Sequence, residues 1–191
     1  IYMTGLFYNL GLWTDKLIGW HFKGSYIFSN FKAYGAYDTP VFIAYLSIIP
    51  SLAYFLIQSE TSFFLAHRRF FDSISKERLQ NILTYKRDLI VILKKSLFRL
   101  FLIQLVASSI GFFAAGFIAP VFGITGPSVL FMRLLFYAAG GQVMFLYVII
   151  FLMYFDLSKT GFYIVLLFFC LNFIFNYANM IWPVVPMGAP Y

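Results

Sequence analysis

The sequence predicts an all-α, polytopic transmembrane helical bundle of about five spans. Of its 191 residues, 62% are hydrophobic and only 11% are charged, whereas a soluble domain carries about 25% charged residues. The apolar residues form several runs close to the roughly 20 residues that a membrane-spanning helix needs. This composition excludes a water-soluble globular domain, because too little polar surface is available to cover one.

We predict spans at about 1–22, 40–60, 97–119, 128–155 and 161–182. Short, turn-rich loops separate them at 23–37 and 120–127, and a tight polar turn occupies 156–160. The last residues, from Pro183 onward, read as a loop that a sixth span can follow in a longer chain.

The first span contains two adjacent charges, Asp15 and Lys16, flanked by Trp13 and Trp20. A charge near the bilayer centre costs roughly 2.5–3.5 kcal/mol, so an intramembrane pair indicates a functional site. Adjacent helical residues point in different directions. We therefore expect Asp15 to line a cavity, and Lys16 either to do the same or to snorkel to the interface.

The second span begins near Asp38 or Thr39, either of which can cap the helix, with Pro40 in its first turn. Pro50 lies inside the span and should kink it. Glu60 ends the span and is expected either to pair with a basic residue of another helix or to remain solvated.

Between Glu60 and Arg99 the chain is basic, with nine of its fourteen Lys and Arg residues and four acidic ones. Apolar residues recur there at helical spacing. We predict a basic amphipathic segment at 61–96, in one or two helices on the cytoplasmic membrane surface. That orientation places loops 23–37 and 120–127 outside and puts Asp15 in the outer half of its span.

The remaining spans carry isolated polar residues. In the third span a stripe of small residues favours close helix packing, and Gln104 can hydrogen-bond across helices. Arg133, early in the fourth span, either snorkels or faces an aqueous cavity. Polar residues on one face of a span must meet protein or water. The candidate pathway residues are therefore Gln142, Asn172 and Asn176, together with Asp15, Lys16, Trp13, Glu60 and Arg133.

No catalytic pattern is present, and we predict neither an enzyme nor a cofactor. The sequence has no phosphate-binding glycine loop with lysine, no paired zinc histidines and no nucleophile elbow. Cys170 is the single cysteine, which cannot form an internal disulfide or a multi-thiolate metal site.

Four motifs, in this order, resemble the PelG family of inner-membrane exopolysaccharide transporters, within the multidrug/oligosaccharide/polysaccharide flippase superfamily: Trp13-Thr14-Asp15-Lys16, Tyr37 to Leu46 with Pro50, Glu60 to Phe64, and Tyr154-Phe155-Asp156. The resemblance covers about Trp13 to Asn172 and implies the C-terminal half of a two-lobed, flippase-like transporter. It implies movement of a Pel-like polymer, rich in N-acetylhexosamine, across the bacterial cytoplasmic (inner) membrane.

The resemblance also implies synthase partners similar to PelD, PelE and PelF, besides membrane lipid, and no nucleic acid. On that basis the basic surface is a candidate docking site, with Arg68, Arg69, Lys86 and Arg87 as its residues. Two other functions stay open: a membrane-embedded glycosyltransferase or polymerase subunit, and a structural scaffold subunit. Loop 23–37 has only Asp38 beside it and loop 120–127 has no acidic residue, which disfavours the former, and the Asp15–Lys16 pair weighs against the latter.

Overall fold

The structure is a computed structural model that describes residues 2–28 and 31–181. It is an all-α membrane bundle, as the composition predicts. Within these residues, three helices are long and apolar enough to cross a membrane: α5 (Leu79–Val121), α6 (Pro127–Tyr154) and α7 (Ser158–Ile181). The predicted tail from Pro183 and residue Ile1 lie outside the described residues.

Helix α1 (Tyr2–Lys23) runs parallel to α7 and packs along it. The two backbones approach closely at Gly11, where an added Cβ would lie 2.7 Å from the Phe168 ring. Asn172 Nδ2 donates a hydrogen bond to the Gly11 carbonyl at 3.2 Å. These contacts join α1 and α7 into one helix pair. Although α1 is long enough to span, Asn9, Asp15 and Lys16 make it less apolar than α5 to α7.

The predicted loop after α1 is an antiparallel hairpin. Strand β1 (Ser25–Phe28) pairs with β2 (Phe31–Ala33), and Ser25 lies opposite Ala33. Helix α2 (Gly35–Leu46) then begins a turn earlier than expected. Pro40 is consequently inside the helix instead of in its first turn, and neither Asp38 nor Thr39 is the N-cap residue.

The second predicted span is broken between α2 and α3 (Ile49–Gln58), and α2 meets the helical run Ile49–Ile74 at an angle of 40°. Pro50 explains the position of the break. It lacks the N–H that would bond to the Leu46 carbonyl, and its ring clashes with that carbonyl one turn earlier. Counted as one broken span, α2 and α3 bring the number of candidate membrane crossings to four.

Beyond α3 the chain continues through a π-helical segment (Ser59–Phe63) into α4 (Phe64–Lys76). Helix α4 packs against the first turns of α5, so the two form a helical hairpin. Helix α5 has 43 residues, or about 65 Å at 1.5 Å per residue, twice the hydrocarbon thickness. The basic segment therefore lies on two helices, α4 and the first part of α5, and its second half continues without a break into the third predicted span.

Helices α5 and α6 share a tightly packed interface. An added Cβ at Gly111 would lie 2.3 Å from the Phe136 ring, and one at Gly140 would lie 2.9 Å from Ser108 Oγ. The predicted small-residue stripe is thus a packing feature, with Ala115 and Ala119 fully buried.

A buried hydrogen-bond network ties α3 to this interface. Ser51 Oγ donates to Gln104 Oε1 at 2.5 Å, and Gln104 Nε2 donates to Ser108 Oγ at 3.0 Å. Tyr147 of α6 reaches Ser51 Oγ at 3.2 Å. The prediction that Gln104 hydrogen-bonds across helices is confirmed.

Candidate functional site

A cavity of about 420 Å³ lies between α1, α2, α6 and α7. Its volume falls within the range of about 300–1,000 Å³ that is typical of ligand sites. Polar and aromatic side chains share its wall, and it occupies the half of the bundle that contains the end of α1 and the start of α2. We call it the outer cavity.

Asp15 is the charged residue of this cavity, and Tyr37 of α2 holds it. The Tyr37 hydroxyl donates a hydrogen bond to Asp15 Oδ2, while Oδ1 accepts the backbone N–H of Lys16 at 2.8 Å. Tyr37 is buried, and the Asp15 side chain keeps about a quarter of its surface exposed. The carboxylate is thereby fixed toward the cavity and remains open to a ligand.

The Lys16 side chain lies beside the Asp15 carboxylate. Its Nζ lies 4.0 Å from Asp15 Oδ1. The same ammonium sits over the Trp13 ring at 5.3 Å and the Tyr45 ring at 5.4 Å. Because cation–π attraction is stronger away from water, these rings help to keep the charge inside the bundle.

The opposite wall is formed by amide side chains. Gln142 of α6 accepts a hydrogen bond from the Tyr45 hydroxyl through Oε1. On α7, Asn172 and Asn176 line the cavity one turn apart, and Asn176 Nδ2 donates to the Asn172 carbonyl at 2.8 Å. Four of the candidate pathway residues, Asp15, Gln142, Asn172 and Asn176, therefore meet in one cavity.

Three other candidates lie elsewhere. Trp13 is largely exposed and contacts the Trp20 ring at 6.1 Å, so it borders Lys16 but not the cavity. Arg133 lies against α5 with its Cζ 5.6 Å from the Phe112 ring, and its buried Nε has no hydrogen-bond partner among the described residues. Glu60 belongs to the π-helical segment after α3, which does not contribute to the cavity wall.

The four basic residues named for docking are exposed on the α4–α5 hairpin. Arg68 forms an i, i+4 ion pair with Asp72 at 3.7 Å. The hairpin is anchored at the end of α6, where His67 Nε2 lies 3.0 Å from the Tyr154 carbonyl oxygen. This contact places the start of α4 level with the α6–α7 turn.

Sequence reasoning missed the tyrosines that orient the polar groups. Tyr37 and Tyr45 are eight residues apart on α2, and they share the cavity face with Val41 and Ala44. That spacing was visible in the sequence, but tyrosines in an aromatic-rich span also fit a lipid-facing role. Their function depends on which helices α2 faces.

Asp38, which the sequence indicated only as a helix cap, joins α1 to α2 beside the β-hairpin. Its Oδ2 accepts Trp20 Nε1–H at 2.8 Å and the Tyr34 backbone N–H at 3.0 Å. Its buried Oδ1 has no hydrogen-bond partner within the described part of the chain. Asp38 and Tyr37 thus hold α2 against α1 from adjacent positions.

Chemically, the outer cavity offers a carboxylate, amides and tyrosine hydroxyls beside flat rings. Such a set can exchange hydrogen bonds with a hydroxyl-rich or amide-bearing ligand while its rings cover the ligand's C–H faces. No group of three or more His, Cys, Asp or Glu residues that could hold a metal ion occurs in the described residues.

One comparison with known proteins identifies a family. The family model PelG, described as "Putative exopolysaccharide Exporter (EPS-E)", matches residues 1–191, the whole chain. Neither the curated proteins nor the solved structures contain a match.

Proposed function

Since the chain belongs to the PelG family of exopolysaccharide exporters, we propose that it moves a Pel-like polymer, rich in N-acetylhexosamine, across the bacterial inner membrane. The family is one of exporters and not of enzymes. In this proposal the chain is a multi-pass protein and the outer cavity is part of the polymer pathway.

The observation that carries the proposal is the convergence of Asp15, Gln142, Asn172 and Asn176 in one intramembrane cavity. Polar side chains inside a membrane are expensive, and they are found where they face protein or a water-filled path. A neutral sugar polymer presents hydroxyls and acetamido groups. These side chains can form hydrogen bonds with those groups in place of water. The aromatic wall suits the apolar faces of pyranose rings.

The test makes three single substitutions, Asp15→Asn and Gln142→Leu in the cavity wall and Lys16→Met beside it, and scores secreted polysaccharide at matched membrane abundance. We expect each to reduce export, because Asp15 and Gln142 line the cavity and the Lys16 ammonium lies 4.0 Å from the Asp15 carboxylate. Asn9→Leu is the matched control, since Asn9 is exposed on α1 and bonds only to its own helix at Gly5. Undiminished export from all three cavity variants would remove the cavity from the mechanism.

We further propose that the α4–α5 hairpin docks synthase subunits similar to PelD, PelE and PelF. Inside the membrane one face of α5 packs on α6 through Gln104, Ser108 and Gly111. The same face continues below the end of α6 and carries the exposed Leu79, Leu83 and Ile90. Apolar residues that are exposed beside Lys86 and Arg87 are typical of a protein interface.

Charge reversal of Arg68, Arg69, Lys86 and Arg87 should abolish co-purification of those subunits. The matched control reverses Lys23 and Lys32, at the other end of the bundle. Partner recovery that survives the hairpin reversal would contradict the docking proposal without affecting the cavity proposal.

A further inference from the structure

A second cavity lies on the other side of the same seam between helices. Its volume is about 460 Å³, and α1 and α6 line it through Thr4, Gly5, Tyr8, Leu146, Met153 and Tyr154, among others. Because Thr4 and Gly5 begin α1 and Tyr154 ends α6, this inner cavity occupies the half of the bundle opposite to the outer cavity.

Three rings separate the two cavities. Tyr8 lines the inner cavity, whereas Phe145 and Phe168 line the outer one. The Tyr8 ring is stacked with Phe145 at 6.1 Å and with Phe168 at 6.3 Å, and the two phenylalanine rings are 4.7 Å apart. The rings come from α1, α6 and α7, so together they close the seam where these helices meet.

The position of the rings along the helices is close to the middle of the membrane. Phe145 lies nine residues before the end of α6, and Phe168 lies ten after the start of α7. At 1.5 Å per residue both are about 15 Å from the inner helix ends, half of a roughly 30 Å hydrocarbon core. A path between the membrane faces along this seam must pass them.

The helices are grouped so that the seam can open between them. Helices α1 and α7 form one pair, locked by Gly11 against Phe168, while α6 belongs with α5 and α2 and contacts α7 much less. Tyr8 and Phe168 therefore belong to one group and Phe145 to the other. Separating the groups at this level parts Phe145 from the two rings of the α1–α7 pair.

We propose that Tyr8, Phe145 and Phe168 form the constriction of the transport path: they seal the outer cavity from the inner side, and each pyranose ring of the polymer stacks against them as it passes. The identity of the polymer in this inference rests on the proposed function, whereas the seal rests only on the positions of the three rings. Aromatic rings suit the role because they block water and ions yet offer flat apolar surfaces to the C–H faces of a sugar.

The experiment measures whether the rings are a seal. A single reporter, Ala138→Cys, is placed in the outer cavity of a Cys170→Ala protein, reconstituted in sealed vesicles of both orientations. A membrane-impermeant methanethiosulfonate is then added on one side. The test variant is Tyr8→Ala with Phe145→Ala. Its matched control is Tyr163→Ala with Phe173→Ala, which removes the same ring types from exposed positions on α7.

We expect the reagent on the inner side to label the reporter about tenfold faster in the test variant, the change produced by about 1.4 kcal/mol. Labelling from the outer side should be unchanged, and the control should behave like the parent protein. An unchanged inner-side rate in a test variant that still elutes as a folded species would overturn the constriction.

Phe145→Leu provides a milder second variant in case the double substitution fails to fold, and it should give a smaller increase in the same direction. The labelling assay needs no polysaccharide, so it is independent of the proposed function. Faster inner-side labelling together with wild-type export from the cavity variants would retain the seal and reject the pathway. Unchanged inner-side labelling together with impaired export from the cavity variants would reject the seal and retain the pathway.

Discussion

Tyr37 is the residue that most directly controls the chemistry of Asp15. Its hydroxyl donates to the carboxylate from a buried position. Tyr37→Phe keeps the ring and removes only this donor, and hydrogen bonds to charged groups contribute about 1.5–3 kcal/mol. We expect export to fall by about tenfold at equal membrane abundance, measured as secreted polysaccharide. Tyr26→Phe, on the exposed β-hairpin, is the control, and equal export from both variants would contradict a role for the hydroxyl.

Gly140 and Gly141 are adjacent but differ in what surrounds them. A Cβ on Gly140 would lie 2.9 Å from Ser108 Oγ, whereas one on Gly141 would meet nothing within 4 Å. Overpacking of a tight interface costs typically about 1–3 kcal/mol. We therefore expect Gly140→Ala to lower the melting temperature in detergent and Gly141→Ala to leave it unchanged or raise it slightly. The same melting temperature for both would mean that α5 and α6 are less closely packed than the structure indicates.

At the scale of single residues, the sequence could identify the polar half of the site. Asp15, Gln142, Asn172 and Asn176 stand out because polar groups within apolar runs are costly. Tyr37 and Tyr45 could not be singled out, since 14 tyrosines and 26 phenylalanines crowd the chain. Only the approach of α2 to α1 and α6 shows which of these aromatic residues face the cavity.

At the scale of elements, local chemistry determined some features and neighbouring helices determined others. Pro50 made the interruption of the second span predictable, because a proline removes the hydrogen bond to the carbonyl one turn earlier whatever surrounds the helix. The length of α5 could not be read from hydropathy, because the chain changes from amphipathic to apolar without a proline between Leu79 and Ala119. A change of environment at the membrane surface does not require a change of secondary structure.

Gln104 links three elements, and its removal tests whether the buried network stabilises their arrangement. Its side chain contacts Ser51 of α3 and Ser108 of α5, and Tyr147 of α6 completes the network through Ser51. Gln104→Leu conserves volume and removes the hydrogen bonds to Ser51 and Ser108, at a net cost of about 0.5–1.5 kcal/mol for each bond. The serine hydroxyls keep the Ile48 and Phe136 carbonyl oxygens as acceptors. We expect a lower melting temperature than that of Gln80→Leu, a control on the exposed start of α5. If the two variants have the same melting temperature, the network contributes nothing measurable to stability.

At the scale of the whole molecule, the membrane class followed from composition alone, but the grouping of helices did not. Periodicity indicates which face of a helix is apolar, and in a membrane both lipid and protein satisfy such a face. The pairing of α1 with α7 depends on Gly11 fitting Phe168 and on Asn172 reaching the Gly11 carbonyl. Those are contacts between distant parts of the chain, which no local pattern contains.

The predicted orientation of the bundle in the membrane can be tested by cysteine labelling. In a Cys170→Ala background we expect an impermeant maleimide to label Tyr26→Cys only from outside, and Thr84→Cys and Lys159→Cys only from inside. The nine basic residues from Glu60 to Arg99 predict a cytoplasmic location for Thr84, and the contact of His67 with Tyr154 joins the basic hairpin to the α6–α7 turn.

Labelling of Tyr26→Cys and Thr84→Cys from the same side would show that α2 and α3 enter and leave the membrane on one face, as a re-entrant pair. In that case Asp15, Tyr37 and the outer cavity would open to the side that carries the basic hairpin. Labelling from opposite sides requires α2 and α3 to cross as one span broken at Pro50. The outer cavity then lies beyond the Tyr8, Phe145 and Phe168 rings from the cytoplasm, as export through this seam demands.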